Sequence, residues 1–368
     1  MSLSVLLAGG GTAGHVAPLL ATAAALRRRD AGIRLTVLGT ADGLEARLVP
    51  QAGLELSIVP RVPLPRRPNA DLLRLPGRLA GAVGAARRVI EASRADVVVG
   101  FGGYVCPPAY LAARRAGVPI VVHEANAKPG LANRLGARLT RTVAVTFPGT
   151  PLPHAVVTGM PLRPQITGLD RAALRPSARA ALGLEPDRTT LLVFGGSLGA
   201  QRLNRTFAEA APDLVGAGVQ VLHATGRGKH VEVSLPDGAA EVARYVSVEY
   251  LDRMDLAFAA ADAIVCRAGA STVSEISALG LPAAYVPLPI GNGEQRLNAE
   301  PVVAAGGGLL VADDRCTAAW VRATLLALLA DPLRLAAMGT AAARVGIRDG
   351  DERLADLIER SARAGGTS

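Results

Sequence analysis

The stretch Cys266-Arg267-Ala268-Gly269-Ala270-Ser271-Thr272-Val273-Ser274-Glu275 gathers small residues, hydroxyls and one carboxylate between an apolar run and a short helical pattern. Small residues let a ligand approach the backbone closely. A helix that starts here has first-turn N–H groups without intrahelical partners, and its N-terminus carries partial positive charge. A phosphate is the natural guest of such a turn. Ser271 or Thr272 is expected to cap the helix. Glu275 is expected in the first turn, where it either hydrogen-bonds the vicinal hydroxyls of a ribose or merely complements the helix dipole.

Two other glycine-rich turns have the same design. Gly9-Gly10-Gly11-Thr12-Ala13-Gly14-His15 follows a buried strand over 4–8 and opens a helix predicted to reach about Arg29. Gly9, Gly11 and Gly14 satisfy the dinucleotide pattern G-x-G-x-x-G, which also wants an acid near the end of the second strand. That strand, 34–39, ends in Gly39-Thr40-Ala41, so the acid is missing. His15 at the loop exit is placed to act as a base or only to hydrogen-bond the loop. Gly195-Gly196-Ser197-Leu198-Gly199 follows the strand at 189–194. A further glycine loop, Phe101-Gly102-Gly103-Tyr104-Val105, ends the strand that starts at Asp96. His123-Glu124-Ala125-Asn126 is expected directly after the strand at 118–122, where open α/β sheets present groups to ligands.

These turns need strands to hold them. The chain of 368 residues, 50% hydrophobic, is long enough for two domains of ordinary size. Strand and helix alternate throughout, with strands also at 54–59 and near Val219, Val246, Ile264, Ala284 and Leu309. Prolines over 158–164 read as a linker. The fold class is α/β, with two Rossmann-like, doubly wound domains facing across a cleft. The first spans 1–160 and the second 165–345, with a helix over 346–368 able to pack back on the first domain.

Formal net charge is +9, unevenly placed. Residues 1–160 hold 19 Lys and Arg against 8 Asp and Glu, a net of +11, so this half is expected to meet an anionic surface or substrate. Leu72, Leu73, Leu75 and Leu79 lie among Arg74, Arg78 and other arginines, as contact with anionic lipid requires. The ordinary alternative turns the leucines to the sheet and the arginines to water. Pro76-Gly77 is expected to break this helix, and the basic proline loop at 60–68 cannot be helical. Cys106, Cys266 and Cys316 have no metal spacing and fit a reducing compartment. No leader is expected, and no apolar run approaches a bilayer span. Asp349-Gly350-Asp351 reads as helix capping rather than a metal site. Asn204-Arg205-Thr206 is a sequon without a secretory context.

In order along the chain, Gly10 to His15, Gly102-Gly103-Tyr104-Val105, His123 to Asn126, Gly195 to Ala200, Cys266 to Ala270, Thr272-Val273-Ser274-Glu275 and Glu294-Gln295-Arg296-Leu297-Asn298-Ala299 resemble the MurG family of peptidoglycan glycosyltransferases nearly end to end. The resemblance implies a GT-B fold and an inverting transfer of N-acetylglucosamine. The donor is UDP-N-acetylglucosamine, bound mainly by the C-terminal domain. The acceptor is the 4-hydroxyl of undecaprenyl-diphospho-N-acetylmuramyl-pentapeptide (lipid I to lipid II). It also implies a peripheral enzyme on the cytoplasmic face of the cell membrane, in contact with its anionic inner leaflet, using no cofactor and no metal. Matched by motif, Thr12, Ala13, Gly14, Asn126 and Arg163 contact the donor. Ser197 touches its diphosphate and Leu251 packs by the uracil. The backbone of Ala270, Ser271, Thr272, Val273 and Ser274 holds phosphate, Glu275 binds the ribose, and Gln295 binds the sugar. His15 is the catalytic candidate, as base or as binder of the acceptor diphosphate. The chain departs from the commoner family pattern at Ala13, Ala125 and Glu294, which bears on the sugar contacts. Competing readings are a GT-B enzyme with a soluble acceptor and a nucleotide-sugar epimerase. A nucleic-acid-binding module is disfavoured by an aromatic content of 3%.

Overall fold

The structure, a computed structural model, describes residues 2–62, 71–196, 199–290 and 292–365, without the side chains at 71–74, 240 and 241. The chain divides into two compact units, Met1–Pro164 with Arg348–Ser368, and Gln165–Ile347. The first unit contains β1 (Ser4–Ala8), β2 (Arg34–Gly39), β3 (Glu55–Ile58), β4 (Val97–Gly100), β5 (Ile120–Glu124), β6 (Thr142–Val145) and β7 (Ala155–Val157). The second contains β8 (Thr190–Phe194), β9 (Gln220–Ala224), β10 (Tyr245–Val248), β11 (Ala263–Cys266), β12 (Ala283–Tyr285) and β13 (Gly308–Leu310). The first sheet runs β3-β2-β1-β4-β5-β6-β7 and the second β10-β9-β8-β11-β12-β13, with parallel pairings such as Leu6↔Val98 and Val193↔Val265. In both units the order reverses between the first strand and the fourth. The crevice at that reversal, outside the carboxyl ends of the strands, is where doubly wound sheets bind ligands.

β1, β4 and β8 are buried along their whole length. Their sequences are near-continuous apolar runs because helices cover both faces of the sheet. In the first unit one face packs Leu6, Val98 and Val122 against Val83, Ala86 and Ile90 of the helix Asp71–Ser93. The other face packs Val5, Leu7 and Val99 against Leu19 and Leu26 of the helix Ala13–Arg29. The C-terminal helix Gly350–Gly365 joins that second core through Leu354, Ala355, Ile358 and Ala362, a stripe at helical spacing. Burial of each large aliphatic side chain contributes about 1.5–3 kcal/mol. The polar side of this helix meets two arginines. Arg28 Nη2 lies 2.6 Å from both Asp351 and Glu352, and Arg29 reaches Glu352 at 2.6 Å and Asp356 at 2.7 Å. Asp351 is therefore a buried ion-pair partner in the first turn, while Asp349, whose carbonyl accepts the first helical bond from Arg353 N at 3.0 Å, stands at the cap position.

Two other expectations change. The helix Asp71–Ser93 runs unbroken through Pro76-Gly77. Pro76 is only its sixth residue, so it forfeits one bond near the free end while the stripe beyond it packs on the core. Leu79 is half-buried and belongs to that packing, so it is not part of an open apolar patch. Leu75 is also half-buried and Arg78 is exposed. The side chains of Leu72, Leu73 and Arg74, and the loop at 63–70, lie outside the described residues. Second, β5 extends through Glu124, which draws His123 and Glu124 into the sheet. Among the described residues no single helix is long and apolar enough to cross a membrane.

Candidate active site

In the second unit, the turns after β8 and β11 flank the reversal of strand order. The turn after β8 is tightly fitted. Gly199 has φ +69°, and a Cβ there would lie 1.9 Å from Thr225 O, so only glycine fits. Thr225 is itself held, because Asn204 Nδ2 donates to its carbonyl at 2.9 Å. Asn204, the would-be sequon residue, is thus buried and structural. Beyond this turn lies a cavity of about 640 Å³. Among the described residues Arg202, Arg205 and Arg267 line it, against the one carboxylate of Asp313. Arg267 Nη1 lies 2.6 Å from Asp313 Oδ1, an ion pair without hydrogen-bond alignment, and donates to Val286 O and Pro287 O. Arg202 Nε reaches Asp313 at 3.4 Å. Three cations and one anion leave the cavity positive, which suits a phosphorylated ligand.

The turn after β11 leads into the helix Ala270–Ala278. Its N-cap is Gly269, without a side-chain cap, so Ser271 and Thr272 do not cap the helix but occupy its first turn. Val273 N makes the first intrahelical bond, to Gly269 O at 2.9 Å. The N–H groups of Ala270, Ser271 and Thr272 precede that ladder, at the positive end of the helix. Glu275 is the sixth helical residue, not a first-turn residue. The dipole falls off within one turn, so complementing it no longer explains the carboxylate. Helical side chains lean toward the N-terminus, and Ser271 and Glu275 stand four residues apart on one face, so Glu275 lies just behind the anion-facing end. Gln295 lies against the same turn. Its Oε1 accepts from Ala268 N at 3.2 Å and Leu288 N at 3.0 Å, which turns its amide donors the other way. Leu251 is half-buried after β10, on the same carboxyl edge. Ser197 lies outside the described residues.

In the first unit, Thr12 is the N-cap of the helix Ala13–Arg29, and Thr12, Ala13 and Gly14 are exposed. His15 is half-buried, with Nδ1 3.0 Å from Gly10 O and 3.2 Å from Thr12 Oγ1. Gly102 passes beside its ring and Gly103 beside the Gly10 carbonyl. A Cβ on Gly102 would lie 2.8 Å from the His15 ring, and one on Gly103 2.5 Å from Gly10 O. Gly102 N donates to the buried Cys106 Sγ at 3.1 Å, which pins this loop. Glu45, six residues beyond Gly39, does not fill the place of the acid missing from the end of β2 but turns inward. Its carboxylate is fully buried and accepts from Gly11 N at 2.8 Å and from Thr40 N at 2.9 Å. Part of the backbone nest that a phosphate would use here is therefore already filled.

His123 and Glu124 are not presented to ligands. Burial pushes the His123 imidazole down to about 4, and its Nε2 donates to Gly159 O at 3.3 Å. Glu124 accepts from Asn126 N, Gly130 N and Asn133 Nδ2, and so shapes the following loop. Asn126 is half-buried in that loop, and Arg163 is exposed close to the unit boundary. Sequence reasoning also missed Arg202, the second residue of the helix Gln201–Glu209, and Asp313, three residues past β13, whose only signal is that each follows the carboxyl end of a strand.

Residues 5–145 match the glycosyltransferase family 28 N-terminal domain, and residues 190–354 match the glycosyltransferase family 28 C-terminal domain. The UDP-N-acetylglucosamine--N-acetylmuramyl-(pentapeptide) pyrophosphoryl-undecaprenol N-acetylglucosamine transferase of a Nocardioides species is 59% identical over 357 residues, covering 97% of each chain. The enzyme of the same name from Streptomyces avermitilis is 57% identical, covering 97% of this chain and 98% of its own. The crystal structure of Acinetobacter baumannii MurG matches with a TM-score of 0.78 at 27% identity, covering 97% of this chain and 99% of that one. The chain belongs to glycosyltransferase family 28 and, within it, to the MurG glycosyltransferases, with the two Rossmann-like domains of the GT-B fold.

Proposed function

We propose that this protein transfers N-acetylglucosamine from UDP-N-acetylglucosamine to the 4-hydroxyl of undecaprenyl-diphospho-N-acetylmuramyl-pentapeptide, with inversion, in peptidoglycan synthesis. The observation that carries this reading is the 59% identity, over 97% of both chains, to an enzyme bearing the name of that reaction. The positive cavity, lined by Arg267 of the turn that leads into the helix Ala270–Ala278, supports it.

In this reading the donor diphosphate lies against the N–H groups of Ala270, Ser271 and Thr272, with the rest of the turn through Val273 and Ser274 holding its place. Glu275 accepts from the ribose hydroxyls, Gln295 donates to the sugar and Leu251 packs by the uracil. Thr12, Ala13, Gly14, Asn126, Arg163 and Ser197 complete the donor contacts. The acceptor oxygen attacks the anomeric carbon as the bond from that carbon to the β-phosphate oxygen breaks. His15 Nε2 takes the acceptor proton, and UDP leaves. Charge builds on the leaving diphosphate, where a single preorganised donor is worth about 2.7–4 kcal/mol. A general base contributes about 10²–10⁴-fold.

The enzyme works peripherally on the cytoplasmic face of the membrane. The net +11 over residues 1–160 and the arginine-flanked start of the helix Asp71–Ser93 support contact with an anionic leaflet. The test is product mass, with lipid-linked and soluble muramyl acceptors assayed side by side. One added N-acetylglucosamine on the lipid-linked acceptor, with release of UDP, is expected. Transfer to the soluble acceptor alone, or epimerised donor without transfer, would overturn the proposal. If His15→Ala keeps normal turnover at saturating substrates, the base role fails.

A further inference from the structure

We infer that Glu45 is a positioning residue for His15, acting through the one peptide group between Gly10 and Gly11. This rests on the proposed base role of His15. The N–H of that peptide, from Gly11, donates to Glu45 Oε2 at 2.8 Å. Its C=O, from Gly10, lies 3.0 Å from His15 Nδ1. A carbonyl oxygen only accepts, so Nδ1 carries the proton and Nε2 keeps its lone pair. Carboxylate, peptide and imidazole form one hydrogen-bonded line, with the basic nitrogen at its far end. Gly102 leaves that nitrogen uncovered, since a Cβ there would lie 2.8 Å from Nε2.

Glu45 is built for this place. Its second oxygen, Oε1, accepts from Thr40 N at 2.9 Å and Thr40 Oγ1 at 2.7 Å. Burial opposes its ionisation, but the hydrogen bonds from Gly11 and Thr40 outweigh it and hold the carboxyl below its ordinary value. Three glycines clear the line. A Cβ on Gly10 would lie 2.3 Å from Oε1, one on Gly43 2.1 Å from Oε2, and one on Gly103 2.5 Å from the Gly10 carbonyl oxygen. A bond to a charged acceptor is about twice as strong as a neutral one, and it polarises the peptide so that the Gly10 carbonyl accepts more strongly. The effect is that of a carboxylate bonded directly to a catalytic histidine: it fixes tautomer and orientation and steadies the ring once Nε2 takes a proton.

The test compares Glu45→Gln with Thr40→Ala. A glutamine has one carbonyl, so it cannot accept from Thr40 N–H and Gly11 N–H together, and in either orientation its neutral amide no longer polarises the Gly10–Gly11 peptide as the carboxylate does. Thr40→Ala removes one donor from the other oxygen and leaves that bond in place. Ring-nitrogen NMR of His15 reads the tautomer, and steady-state kinetics with UDP-N-acetylglucosamine and the lipid-linked acceptor read turnover. The wild type and Thr40→Ala should show the Nδ1–H form, and Glu45→Gln a mixture with the Nε2–H form. Glu45→Gln should lower kcat by about tenfold to a hundredfold, less than removing a base outright, with the donor KM within about threefold. An unchanged tautomer and kcat in Glu45→Gln, or an equal loss in Thr40→Ala, would overturn the inference. If Glu45→Gln does not fold, Glu45→Asp, one methylene short of Gly11, carries the same expectations. If His15→Ala turns over normally while the tautomer still follows Glu45→Gln, the base reading fails and the link between Glu45 and His15 stands.

Discussion

Replacing His223 by asparagine should remove a defined part of the acid sensitivity of the second unit. His223 lies in β9 and is fully buried. Asn204 Nδ2 donates to Thr225 O, so its Oδ1 faces the ring, and His223 Nε2 donates to it at 3.2 Å. Nδ1 then accepts from Tyr245 Oη at 2.8 Å. The imidazole is neutral, and burial pushes it down from 6.5 to about 4. In the unfolded chain the same group takes a proton near 6.5, so between these values the unfolded state binds more protons. The stability it contributes is complete above about pH 6.5 and is lost as pH falls towards 4. At pH 5, proton binding favours the unfolded state by about 30-fold and the native state by about 1.1-fold, a loss of about 2 kcal/mol. Urea unfolding at pH 7.5 and pH 5.0, followed by circular dichroism, measures it. Wild type should lose about 2 kcal/mol more than His223→Asn between these values, with exposed His230→Asn as the control. Equal pH dependence in wild type and His223→Asn would refute the argument. His123, also pushed by burial to about 4, should behave alike in the first unit.

Other substitutions test separate parts of the account. Gly199→Ala should nearly abolish transfer and lower stability. It costs about 1–2 kcal/mol for the left-handed backbone alone, and its Cβ would lie 1.9 Å from Thr225 O. Kinetics and thermal melts check this. Asp262→Ala should destabilise the second unit by about 3–5 kcal/mol in urea titrations, because it strands the buried Arg179, which Asp262 Oδ2 meets at 2.7 Å. For membrane contact, Leu75→Glu with Arg78→Glu should weaken sedimentation with anionic vesicles. Leu79→Glu should mainly lower the melting temperature, since Leu79 packs on the core. Unchanged vesicle binding in the first pair would count against the patch.

What could be read from the chain was set by local chemistry. The glycine turns and buried strands were legible because Gly199 or β8 needs only its own neighbours to be recognised. Boundaries failed where one residue decides them. The helix after β11 starts at Ala270, capped by Gly269 rather than a hydroxyl, which moves Glu275 out of the first turn. β5 runs two residues further than its apolar run suggests, because His123 is buried neutral and Glu124 is saturated by three donors. Glu45 and Asp313 were invisible as site residues, since each acts on groups far away in sequence. Glu45 reaches Gly11, 34 residues before it. The continuity of the helix through Pro76 was likewise decided by packing beyond the proline.

In the proposed function the second unit grips a uridine nucleotide by its diphosphate at the start of the helix Ala270–Ala278 and by its ribose at Glu275. Calorimetric titration with UDP measures this grip. Wild type should bind with measurable heat, and Glu275→Ala should bind about tenfold to a hundredfold more weakly, as loss of a hydrogen bond to a charged group of about 1.5–3 kcal/mol requires. No heat with the wild type, or equal affinity in Glu275→Ala, would contradict it.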